Sequence, residues 1–213
     1  MIITRSERIM WIGDSISAGF GAGTCPLPLI TGPAIASFYG TPPVPPVTAH
    51  VLPPARNRPV MSVDAVAGRA CANIAVDALT FQAFLSPYRQ ASAAIVQLGV
   101  NDAANISTAS LLLSDFVLQS LIIVNGLNSL WGVPYSKILW VGPWAHDSGD
   151  IAAFIAQVEG ALATNAASRG FQLVRMSSIP NTGGNSIADG THPTVQGATA
   201  LTAQLMGAIQ LAA

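Results

Sequence analysis

"IMWIGDSISAGFGAG", residues 9–23, decides the fold. An apolar run over 9–12 ends in Gly13-Asp14-Ser15 and passes straight into glycines. A run this short and this apolar suits a parallel strand buried on both faces. Working outward, residues 60–66 alternate apolar and polar and read as a second strand. Residues 93–98, 137–141 and 171–175 read as three more. Between them, residues 70–83, 110–130, 150–169 and 194–211 read as helices, with Gly170 as the C-cap of the third. Strands alternating with helices along the chain predict an α/β fold, a parallel five-stranded sheet with helices on both faces in three layers. In such sheets ligands sit at the carboxyl ends of the strands. The residues that follow the strands should therefore share one edge: Asp14-Ser15, Ala67-Gly68, Gly99 to Asp102, Gly142 to His146, and the loop before the last helix.

At 213 residues the chain suits one domain, 1–213, with a full core. Apolar residues make up 51% and charged ones 9%, against roughly 25% charged in an average soluble domain. The net charge is -1 and the one lysine is Lys137, so there is no basic stripe for nucleic acid and no polybasic patch for a membrane surface. So uncharged a surface favours self-association. That points to a homo-oligomer, a virion part or a secreted protein rather than a free cytosolic monomer, and leaves the compartment open. The N-terminal stretch carries Arg5, Glu7 and Arg8 and does not read as a signal peptide. The longest uncharged stretch, 116–136, contains Gln119, Ser120, Asn125, Asn128, Ser129 and Pro134, too polar for a membrane span. Residues 25–59 are rich in proline and read as a long insertion loop. Cys25 and Cys71 read as buried thiols, with a disulfide between them as the alternative; neither has metal-ligand spacing.

Acyl transfer through serine needs an exposed hydroxyl, a base, a group to orient the base, and donors for the developing oxyanion. The predicted edge supplies a candidate for each. Ser15 follows a strand and is expected to open a helix, with its hydroxyl and N–H facing the cleft; as an ordinary serine it would cap that helix. His192 could take its proton, and Asp189, three residues earlier in "DGTHP", is within one turn of the imidazole. Gly68 offers an unobstructed N–H, or is simply a turn glycine. Asn101 offers a side-chain amide, or caps a turn. Asp14 should accept N–H groups in the turn, and Asp102 should brace its loop. His146, in "GPWAHD", is a candidate pocket-lining residue together with Trp144, whereas His50 reads as exposed and Trp131 and Trp140 as core.

These stretches together, "IGDSIS" (12–17), Gly68 in "AVAGRA", "LGVND" (98–102) and "DGTHP" (189–193), resemble the SGNH (GDSL-type) hydrolases. They come in the family's order and span nearly the whole chain. Each is weak alone; jointly, after predicted strands, they are specific. The resemblance implies Ser15 as nucleophile with His192 and Asp189 completing a triad. It implies an oxyanion hole of the Ser15 N–H, the Gly68 N–H and the Asn101 side chain. It also implies a flavodoxin-like fold, hydrolysis of esters or thioesters, and no metal or organic cofactor. Two features depart from the pattern: Ile16 stands where leucine is usual, and the proline-rich insertion is unusually long.

Other site classes fail on spacing. For a dinucleotide fingerprint, Gly19-x-Gly21 is followed at the required place by Thr24, and Gly21-x-Gly23 by Pro26. There is no Gly-Lys-Ser/Thr of a P-loop, and position 17 is Ser17 rather than the glycine of an α/β-hydrolase elbow. Asp14 with Asp102 is a thin case for magnesium. The expected activity is that of a serine esterase acting on short acyl esters, acetyl foremost, on a small molecule or an acylated glycan. The alternatives are a non-catalytic carbohydrate-binding or virion module of the same fold, and a thioesterase or lysophospholipase of the same family.

Overall fold

The computed structural model describes residues 1–4, 6–18, 60–80, 91–147 and 149–212. The proline-rich segment, Cys25, His50 and any helix after Ser15 lie outside them. The described elements are β1 (Ile2–Ile3), β2 (Arg8–Gly13), β3 (Val60–Ala65), α1 (Cys71–Thr80), β4 (Ala93–Gln97), α2 (Val100–Ser107), α3 (Leu113–Ser129), β5 (Ile138–Val141), α4 (Gly149–Arg169), β6 (Gln172–Val174), α5 (Val195–Gly207) and β7 (Gln210–Leu211).

Strands β2 to β6 form a five-stranded sheet in the order β3-β2-β4-β5-β6, every neighbouring pair parallel. This is the flavodoxin-like order, in which the chain starts near the middle, goes to one edge, then crosses back and continues to the other. The period-2 geometry of the strands divides their side chains between two cores. Met10, Ile12, Ala94, Val96, Ile138 and Trp140 point to one face, where they meet Cys71 and Ile74 of α1, Ala103 and Ile106 of α2, Phe116 and Ile123 of α3, and Ile155 and Val158 of α4. Ile9, Trp11, Ala93, Ile95, Leu139 and Val141 point to the other, against Ala198, Leu201 and Leu205 of α5. Helices therefore cover both faces, as expected, and the strands read as continuous apolar runs because both faces are dry.

The structure corrects several element boundaries. Residues 99–102, whose ordinary reading is a turn capped by Asn101, instead lead into α2, and the following helix begins at Leu113 rather than 110. The closing helix ends at Gly207 rather than 211, and β7 beyond it pairs in parallel with β1. Of the polar residues of α3, Ser120 is buried and its Oγ accepts Asn165 Nδ2 of α4 at 2.8 Å. Gly170 is the C-cap expected, with φ 84° and its N–H on Ala166 O at 2.8 Å. Cys71 is a buried free thiol. Among the described residues, no helix is long and apolar enough to cross a membrane.

Candidate active site

Gly13 ends β2 and begins a tight turn. A Cβ there would lie 2.0 Å from Ser17 Oγ, so only glycine lets the chain fold back at this point. The turn is closed by the Ala18 N–H on Asp14 O at 3.0 Å. Ser17 fills the space above Gly13, accepting from Trp11 Nε1 at 2.8 Å and donating to Gln97 Oε1 at 2.5 Å. These buried bonds tie the turn to the end of β4, and Ser15, in the same turn, is itself only 7% exposed.

Asp14 is fully buried and accepts the Ile16 N–H at 2.9 Å, the bracing role expected of it. Burial pushes its carboxyl up to about 7, against the Ile16 and Ser17 N–H groups that favour the charged form, and with nearby Asp102 adding to the rise. Asp102, in the first turn of α2, is also buried, and both its oxygens accept the Cys71 N–H, at 3.0 and 3.2 Å. Burial pushes it up to about 6 in spite of that bond. Burial, then the Asp102 and Asp14 charges, also raise the Cys71 thiol.

The loop between β6 and α5 brings the remaining groups. Asp189 Oδ1 accepts the N–H groups of Thr191 (2.9 Å) and His192 (3.0 Å), and Oδ2 lies 2.7 Å from His192 Nδ1. Partial burial raises the Asp189 carboxyl, but these donors outweigh it and hold the group below its ordinary range. An ionised carboxylate can only accept, so the imidazole proton sits on Nδ1 and the Nε2 lone pair faces outward. Nε2 is 2.8 Å from Ser15 Oγ, across 177 positions of sequence. Gly190 makes the loop possible: its φ is 65°, and a Cβ would meet Asp147 Oδ2 at 2.5 Å.

Gly68 follows β3 in an exposed turn with φ 75°, and no described residue accepts its N–H. Asn101, at the start of α2, donates one amide hydrogen to Arg69 O at 3.0 Å, which leaves its second free to donate elsewhere. Ser15, Gly68, Asp189 and His192 thus lie on loops, and Asn101 in the first turn of α2, at one end of the sheet, as the strand pattern predicts.

The two pocket candidates separate. Trp144 is 1% exposed, packed in the core beneath α5 with its indole N–H on Ile179 O at 2.8 Å, and so lines no open pocket. His146 is half-buried, its Nε2 2.7 Å from Thr191 Oγ1, between the aspartate and the histidine of the closing loop. Arg69, beside Gly68, carries no periodic or spacing signal in the sequence. Among the described residues no cluster of His, Cys, Asp and Glu could hold a metal ion.

No protein-family model and no curated protein matches the sequence. Solved structures resemble it over almost its whole length at low identity. An acetylxylan esterase from Geobacillus stearothermophilus, solved as a catalytic mutant, aligns with a TM-score of 0.72 at 14% identity, over 97% of this chain and 95% of that one. A lipase/acylhydrolase from Enterococcus faecalis aligns at 0.68 with 17% identity, over 94% of each chain. A GDSL-like lipase from Bacteroides thetaiotaomicron aligns at 0.62 with 15% identity, over 95% of this chain and 87% of that one.

Proposed function

With the fold of the GDSL-type (SGNH) hydrolases as premise, we propose that this chain is a single catalytic domain, a serine esterase that works through an acyl-enzyme. The observation that carries the proposal is the unbroken relay from Asp189 to His192 at 2.7 Å and from His192 to Ser15 at 2.8 Å. A pure binding module has no use for it.

In this reading His192 Nε2 takes the Ser15 proton as Oγ attacks the ester carbonyl, and Asp189 stabilises the imidazolium that forms. The oxyanion is met by the N–H groups of Ser15 and Gly68 and the free amide hydrogen of Asn101. Collapse expels the alcohol, which receives its proton from His192. Water, deprotonated by the same imidazole, then releases the acid and restores Ser15. No step calls for a metal or organic cofactor. Short acyl groups, acetyl foremost, are the proposed substrates, carried on a glycan. One observation favours this: one of the structures similar in fold is an acetylxylan esterase.

A serine-directed organophosphonate should label Ser15 in the folded protein, and Ser15→Ala should abolish nitrophenyl acetate hydrolysis while circular dichroism stays native. A folded protein that resists labelling would leave the fold as a binding module. Ser15→Ala turnover at the wild-type rate would end the nucleophile assignment.

A further inference from the structure

We infer that Arg69 is the positioning residue of the oxyanion hole. The inference rests on the esterase reading and adds to it a residue outside the triad and the donors. Gly68 cannot hold itself. It has no side chain, sits exposed with φ 75°, and a Cβ built on it would touch nothing within 4 Å. The direction of its N–H is therefore set by the chain on either side.

On one side, the Val66 N–H bonds to Gly13 O at 3.1 Å. On the other stands Arg69, whose side chain is only 10% exposed. Its Nη1 donates to Asp64 O at 2.8 Å and to Gly13 O at 3.3 Å, and its Nη2 to Asp64 Oδ1 at 2.9 Å. Its N–H closes the Gly68 turn on Val66 O at 3.2 Å, and its carbonyl receives Asn101 Nδ2 at 3.0 Å. One residue thus grips the carboxyl end of β2 two positions before Ser15, the end of β3, the turn that carries Gly68, and the amide of Asn101.

The chemistry favours arginine at this point. A guanidinium offers several donors in a rigid fork, whereas an ammonium is a single compact charge on a flexible stem. Burying a guanidinium is costly unless its donors are met, and here two backbone carbonyls and a carboxylate meet them. A turn could be closed more cheaply with apolar packing. What the fork adds is a fixed distance between strand ends, and thereby among three donors that must converge on one oxygen. Misplacing such donors by about 1 Å can cost roughly 100-fold in rate.

Kinetics of the full chain on nitrophenyl acetate test this. Asn101→Ala should lower kcat by roughly 100- to 1000-fold. Arg69→Gln should lower kcat by roughly 10- to 100-fold and change KM by less than about threefold, because the loss falls on the transition state. In the Arg69→Gln background, Asn101→Ala should cost at least about tenfold less than it does alone, since the hole is already spoiled. Arg69→Lys should fall between the wild type and Arg69→Gln, and it serves as the test should the glutamine variant not fold. Wild-type kcat in Arg69→Gln or Arg69→Lys, or an Asn101→Ala loss of equal size in both backgrounds, overturns the inference. If the wild type itself shows no hydrolysis, the esterase reading falls instead; Ser15→Ala run alongside separates the two.

Discussion

Asp14 precedes the proposed nucleophile in the chain, and its ionisation is strongly disturbed by the fold. Its carboxyl rises from 3.8 to about 7, chiefly through burial. Between those values the folded state holds a proton that the unfolded chain releases, so stability falls as pH climbs through the window. Asp102 acts in the same sense up to about 6. Asp189, held below its ordinary range, acts in the opposite sense: it adds stability above its unfolded value and loses it in acid. Asn cannot titrate but can still accept the Ile16 N–H. Thermal melts from pH 4 to 8 should therefore show a shallower decline across that window for Asp14→Asn than for the wild type; identical slopes would refute the assignment. That Ser15, Asp189 and His192 come together at this edge was legible in the sequence, from a serine after a strand and an Asp three before a His. Trp144 was not, because whether an aromatic after a strand faces core or cleft depends on the helix packed over it, here α5.

At the scale of elements, the turn between β4 and α2 repeats the lesson. "GVND" reads as a strand end followed by a turn, and residues 100–107 contain Asn, Asp and Ser, which are weak helix formers. They form α2 nonetheless, because Ala103 and Ile106 are buried against the sheet and tertiary packing overrides propensity. Gly99 permits it. Its φ of 129° is open to glycine, and a Cβ would press on Pro143 Cδ and Val158 Cγ1, each at 3.2 Å. Gly99→Ala should cost at least about 2 kcal/mol in urea unfolding, from backbone strain and overpacking together. An unchanged midpoint would mean that α2 can shift to accommodate a methyl group. The long strands and α4 were legible since their patterns run for several residues. β1 and β7, two residues each, have no period to read and exist only because each finds the other.

For the whole molecule, the separation of Ser15 from His192 matters most. The two sides of the 2.8 Å contact belong to the turn after β2 and to the approach to α5, so the site exists only when the sheet and α5 are docked. In a urea titration, loss of hydrolysis and loss of near-ultraviolet circular dichroism should coincide, as for a single cooperative unit. Activity vanishing at clearly lower urea would show the closing loop opening by itself. The same separation governs biosynthesis. Residue 15 is made before residue 192, so on the esterase reading a nascent chain carries the hydroxyl through 177 further positions before its base exists. On that reading, products that stop short of His192 have no base for Ser15, and activity waits on the docking of the loop and helix α5 against the sheet.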